Sequence, residues 1–173
     1  MPRYLALFTV LTFAISAVGC SAPAATDAGS SPASPAAAPA AAASTVHDGR
    51  SVEITADDTM KFSVTEITAK RGEKLSVTLA NLGTTPKFSM GHNWVLVAID
   101  TDLQQFAVAA AEAVTTEYVP AKRDRIVAAT KLLGPKERDT VTFTVPNAPG
   151  RYPFLCSFPG HFQVGMRGVL IVE

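Results

Sequence analysis

From Val52 onward, apolar and polar residues alternate in short runs. Val52 and Ile54 flank one polar residue, and Phe62 and Val64 flank another. The same alternation links Leu75, Val77 and Leu79, then Val141, Phe143 and Val145. A period of two places one face of an extended chain in a core and the other in water, so these runs predict half-buried strands. Val95-Leu96-Val97-Ala98-Ile99 is apolar throughout and suits a central strand. Turn formers, Asn81-Leu82-Gly83 and the stretch from Asn147 to Gly150, punctuate the series. Several short strands separated by turns predict an all-β sandwich or barrel.

One segment breaks the pattern. Leu103 to Val119 contains AVAAAEAV, a helix-forming composition, and Pro120 is placed to end it. It reads as a helical insertion across one side of the sheets. The KRDR run, Lys122 to Arg125, reads as a solvated turn, with a docking patch as the alternative.

The N-terminal quarter follows other rules. Met1 to Cys20 has one Arg, an apolar run and then small residues, the pattern of a secretory signal. The run is too short and too weakly flanked for a transmembrane helix. Ala17-Val18-Gly19-Cys20-Ser21 resembles a bacterial lipobox, in which the signal is removed before the Cys and a lipid is attached to its sulfur. Ala17 stands where Leu is favoured, and an ordinary signal peptide cut nearby is the alternative. Ser21 to Thr45 is almost entirely Ala, Pro and Ser, broken by Pro23, Pro32, Pro35 and Pro39, and reads as a linker. The expected division is a signal at 1–19, a lipid-anchor Cys20 with linker over 20–45, and a folded domain over 46–173. The expected location is the periplasm or the outer face of a bacterial cytoplasmic membrane, the domain tethered through Cys20.

Charge adds an exclusion. Fifteen basic residues balance fifteen acidic ones, which argues against a nucleic-acid partner, since that calls for a basic face. The two cysteines, Cys20 and Cys156, sit in unrelated contexts, and neither position suggests a disulfide.

The chemistry concentrates in Leu155 to Gly168, LCSFPGHFQVGMRG. Cys156, His161 and Met166 follow one another at four-residue gaps, with Pro159-Gly160 and Gly165 to let the backbone curl. Singly, a Cys is a small buried hydrophobe and a Met is packing. Together, thiolate, imidazole and thioether form a donor set that suits copper. Two nitrogens, one thiolate and a weak axial sulfur describe a blue-copper electron-transfer centre, so a second His is required. His47 lies beside the linker, whereas His92 in SMGHNWVL leads into the apolar run and is the better candidate.

PKFSMGHNWVL and LCSFPGHFQVGMRG, with TKLLGPKERDTVTF between them, resemble the azurins and, in the last loop, the auracyanins. Azurins have one residue fewer between the loop His and Met. The resemblance spans Val52 to Glu173 and implies a Greek-key, cupredoxin-like β-sandwich with a short helical insertion. It implies one type 1 copper ion, with His92, Cys156 and His161 in the plane and Met166 as the long axial contact. The Gly91 carbonyl is a further weak axial contact in azurins, which the longer auracyanin-like loop leaves open here. Asn93 matches the Asn that ties the two ligand segments together, the alternative being an ordinary turn cap. The backbone N–H of Phe158 is a donor to the thiolate. Met90, Pro159, Gly160 and Phe162 flank the ligands and form an apolar patch for weak docking of redox proteins, unless Phe158 and Phe162 instead roof the metal. Trp94 reads as core, with an electron relay as the alternative. The disulfide that azurins carry near the N-terminus has no cysteines here.

The function implied is a one-electron carrier between larger redox complexes, without a small-molecule substrate. A nitrite reductase or multicopper oxidase fragment needs more copper centres, and after His92 and His161 only His47 remains. A copper-storage or copper-delivery protein uses exposed Met- or His-rich tracts, whereas this chain has four Met, one of them the initiator.

Overall fold

In the computed structural model, which describes residues 49–173, the alternating runs fold into two sheets. The expected signal segment, Cys20, the linker and His47 lie outside the described residues. Strands β1 (Arg50–Ala56), β3 (Lys74–Asn81) and β6 (Arg138–Thr144) form one sheet in the order β1-β3-β6. The second contains β2 (Glu66–Ala69), β4 (Val95–Val97), β5 (Ile126–Ala129), β7 (Gly150–Leu155) and β8 (Arg167–Val172), ordered β2-β8-β7-β4-β5. β1 runs parallel to β3 and β2 parallel to β8, and the other pairings are antiparallel. Two helices interrupt the strands, α1 (Lys87–Met90) and α2 (Leu103–Glu112). No helix among the described residues is long and apolar enough to cross a membrane.

The core lies between the sheets. Ile54 of β1 and Leu75, Val77 and Leu79 of β3 meet Leu96, Phe154 and Leu170 of the other sheet, all fully buried. A smaller cluster covers the outer face of the five-stranded sheet, where Phe106, Ala107 and Ala110 of α2 pack on Val95, Val97 and Leu155. β4 is therefore buried on both faces, Leu96 inward and Val95 and Val97 beneath α2, which is why its sequence is continuously apolar. Its apolar run outlasts the strand, since Ala98 is half-buried and Ile99 exposed.

Two expectations are corrected. Phe62 and Val64 alternate but form no strand: a turn from Asp57 to Met60 reverses the chain, and Phe62 makes only an isolated bridge to Ala56. The strand forms a few residues later, where Ile67 and Ala69 turn inward beside β8. The helical insertion also stops at Glu112, well before Pro120. Val114 to Thr116 form a tight 3-10 turn, and the Thr116 hydroxyl lies 2.7 Å from the Val119 carbonyl and 3.2 Å from that of Ala113, which share its one proton. Such local bonds compete with the helical ladder.

Candidate metal centre

β4 and β7 pair antiparallel with Val95 opposite Leu155, so the residues just before β4 lie beside those just after β7. That register brings His92 and Asn93 to Cys156 and Ser157. α1 ends at Gly91, where an added Cβ would sit 2.6 Å from the Lys87 carbonyl and within 3.0 Å of Leu132, so only glycine passes. His92 then locks to Leu133 through a reciprocal pair of backbone hydrogen bonds, His92 N to Leu133 O at 3.1 Å and Leu133 N to His92 O at 2.8 Å. On the other side the loop curls over itself: Met166 N donates to His161 O and Cys156 N donates to Met166 O, each at 3.0 Å. Gly160 and Gly165 adopt positive φ, which lets this loop close.

One nitrogen from each of His92 and His161 and the sulfur of Cys156 lie within 4.8 Å of one another. Cys156 Sγ is 3.4 Å from His161 Nδ1, and the two imidazole centroids are 5.0 Å apart. His92 and Cys156 are fully buried and His161 is 3% exposed. Both ring nitrogens of His92 are buried and have no hydrogen-bond partner among the described residues. A buried polar atom left unpaired is costly, and an imidazole with a free lone pair aimed at a thiol and a second imidazole is what a soft metal ion would satisfy. The donor set therefore fits the copper that the loop chemistry implies. Met166 is fully buried beside this cluster's residues in the inner core.

Burial governs the protonation. It pushes the Cys156 thiol up to about 12, against the backbone N–H groups of Asn93 and Phe158, which act on the sulfur in the opposite sense. It lowers His161 to about 4, with the nearby His92 adding to the effect. His92 is lowered for the same reason, opposed by the Asp57 carbonyl and the Asp58 and Asp57 carboxylates. At neutral pH both imidazoles thus carry free lone pairs, and a cation must displace the thiol proton.

Asn93 joins the two segments: its Oδ1 accepts from Ser157 N at 2.8 Å, and its Nδ2 donates to Ser157 Oγ at 2.8 Å. Phe158 is buried with its ring centroid 4.7 Å from that of His161, a roof rather than a surface group. Phe162 does not belong to an exposed patch. Its ring is 8% exposed, packed into the cluster under α2 and covered by the Arg167 guanidinium at 5.3 Å. Pro159 and Gly160 are exposed and Met90 is half-buried. Trp94 is fully buried between Phe143 and Phe154, its indole nitrogen without a partner among the described residues, as a core residue. The KRDR turn is exposed throughout.

The sequence gives no warning of three features. Phe88, in α1, is 82% exposed, and a single Phe between Lys87 and Ser89 carries no periodic signal of that. Ser157 is buried and bonded to Asn93, legible only as the residue after a candidate ligand. The N–H of Asn93 as a second donor to the thiolate was equally hidden, since it depends on the β4–β7 register.

A β-sandwich that gathers a thiol and two imidazoles at one end of adjacent strands is a cupredoxin-type metal protein. A profile described as copper binding proteins, plastocyanin/azurin family, matches residues 50–173. The azurin of Pseudomonas denitrificans is 39% identical over 127 residues, covering 71% of this chain and 98% of its own. Azurin-1 of Alcaligenes xylosoxydans xylosoxydans is 40% identical over 124 residues, 69% and 95% of the two chains. Among solved structures, the dithionite-reduced auracyanin of Roseiflexus castenholzii has a TM-score of 0.65 at 37% identity, covering 71% of this chain and 96% of that one. Auracyanin A of Chloroflexus aurantiacus, described as a blue copper protein, gives 0.64 at 31% identity, covering 72% and 98%. The chain belongs to the plastocyanin/azurin family of copper-binding proteins. It is a blue copper electron-transfer protein, and the His-Cys-His cluster fits a single type 1 copper ion.

Proposed function

We propose that this protein carries single electrons between larger redox proteins on the exported side of the membrane, with His92, Cys156, His161 and Met166 holding the copper. The observation that carries this reading is the trio of buried donor atoms within 4.8 Å, one of them on His92, whose ring nitrogens have no hydrogen-bond partner among the described residues. The bound copper supplies a one-electron couple. The protein supplies the rest: the Asn93 and Phe158 N–H groups balance the charge on the Cys156 sulfur, and the paired ends of β4 and β7 hold the donors in one arrangement. Phe158 and the closed loop keep water out. Burial of all three donors leaves no solvent-facing position where a substrate would meet the metal, which supports a carrier over an enzyme. Pro159, Gly160 and Met90, joined by Phe88, supply an apolar surface for transient docking. Cys20 is the proposed lipid anchor.

Titrating Cu(II) into the metal-free protein tests the reading. One equivalent should raise an intense blue band that bleaches on reduction and returns on oxidation. Cys156→Ser should abolish it, whereas His47→Ala should keep it. A colourless one-to-one complex, or a blue Cys156→Ser variant, overturns the assignment. In the cell, Cys20→Ser should release the protein from membranes or block its maturation; a wild-type N-terminus downstream of Cys20 removes the anchor.

A further inference from the structure

Glu117 and Tyr118, where the chain leaves the helical insertion, have φ of 54° and 62°. Among the described residues they are the only consecutive non-glycine pair at positive φ. For such residues the left-handed region costs about 1 kcal/mol or more each, so the conformation persists only where the surroundings impose it.

What surrounds them is the neighbourhood of the metal centre. The Tyr118 carbonyl accepts from Ser157 Oγ at 2.6 Å, and the Glu117 carbonyl lies 3.5 Å from Asn93 Nδ2. The Tyr118 ring meets Phe158 edge-on with centroids 5.0 Å apart, and Phe158 in turn packs on His161. Glu117 is ion-paired to Lys87 at 2.6 Å, at the head of the short helix that leads to Gly91 and His92. Apart from their backbone bonds back to Val114 and Ala113, these contacts reach neighbours of a candidate ligand or the segment presenting one. Ser157 is 2% exposed, so its hydroxyl proton has no solvent to turn to.

We propose that Glu117–Tyr118 is a positioning element for the metal centre. Its left-handed backbone fixes Ser157 and its aromatic ring fixes Phe158, so that the N–H groups of Asn93 and Phe158 stay aimed at the Cys156 sulfur. This rests on the reading of Cys156 as the copper thiolate. A helical or extended Tyr118 would turn its carbonyl away from Ser157, and the segment carrying the Phe158 N–H would lose a tether. N–H donors draw charge from a thiolate and so favour the reduced ion; loosening them lowers the reduction potential and alters the thiolate-to-copper absorption.

The test uses the copper-loaded protein. Ser157→Ala removes the hydroxyl that reads the Tyr118 carbonyl. Tyr118→Val forces a β-branched residue onto a left-handed backbone, whereas Tyr118→Gly accepts that backbone and loses only the ring. Tyr118→Phe keeps both and is the unperturbed control, since among the described residues the phenol has no hydrogen-bond partner. Ser157→Ala and Tyr118→Val should each shift the absorption band and lower the potential, with Tyr118→Gly shifted less than Tyr118→Val. The Ser157→Ala/Tyr118→Val double variant should shift by less than the sum of the two single shifts, because both cut the Ser157–Tyr118 contact, although Ser157→Ala also removes the partner of Asn93 Nδ2 and Tyr118→Val the ring on Phe158. Wild-type spectra and potentials in both single variants, or additive shifts in the double, overturn the proposal. If Tyr118→Val does not fold, Ser157→Ala and Tyr118→Gly decide alone, unchanged values again counting against it. Retention of the blue band in Cys156→Ser would instead sink the underlying ligand assignment.

Discussion

At the scale of single residues, burial makes the centre a pH-sensitive part of the metal-free fold. The His161 imidazole titrates at about 4 in the native protein against 6.5 in the unfolded chain. Between those values the unfolded chain binds more protons, so the stability contribution is complete above pH 6.5 and is lost as pH falls toward 4. A shift of that size corresponds to roughly 3 kcal/mol. The urea midpoint of the metal-free protein should therefore drop between pH 7 and 4.5 by more than that of His161→Gln, which lacks the titrating group. Equal drops would mean that the ring is not desolvated. Cys156 acts in the other direction. Its thiol, held up to about 12 by burial, contributes stability that is lost as pH rises through the alkaline range above the ordinary thiol value. The candidate ligand types were legible from the sequence because Cys, His and Met crowd into one turn-rich loop. Their protonation was not, since it follows from burial by strands distant in the chain.

At the scale of elements, α2 is a separable piece. Asp102 caps it, its Oδ1 accepting from Gln104 N at 2.9 Å and Gln105 N at 3.0 Å. Asp102→Ala should cost about 1 kcal/mol of stability, read as a lower denaturation midpoint, because two helical N–H groups lose their acceptor. The blue band should stay in place; a displaced band would show that α2 reaches the metal through Phe162. Alternation alone identified β1, β3 and β6, whose inner faces are apolar at every second residue. It failed at Phe62 and Val64, where the Asp57–Met60 turn outweighs the pattern, and it could not foresee β2, since Ile67 and Ala69 are too sparse a signal. Composition likewise proposed a longer helix than Val114-Thr115-Thr116 allows: β-branched side chains are stiff, and the Thr116 hydroxyl offers the backbone other bonds.

For the whole molecule, the resemblance carried the topology, because the parallel pairings β1–β3 and β2–β8 join segments whose order no local pattern encodes. It carried the docking patch less well. Phe162 turned inward because α2 needed covering, and Phe88 stayed outside because a four-residue helix offers no buried face. Met90→Asp and Phe88→Asp should each slow electron self-exchange several-fold, measured by NMR line broadening in mixtures of oxidised and reduced protein, with little change in absorption. Unchanged self-exchange in both would place the electron's exit elsewhere. The pairing of Val95 with Leu155 has a consequence beyond the site it frames. Asn93 and Ser157 are 64 residues apart in the chain, and His92 and Cys156 have the same spacing. An ion gripping both closes that stretch into a ring, as a covalent cross-link would. Chain statistics give such a closure on the order of 4 kcal/mol, drawn from the entropy of the unfolded chain rather than from any contact in the folded one. Cys156 is a free thiol, so the ion that carries the electron would also serve as the domain's staple.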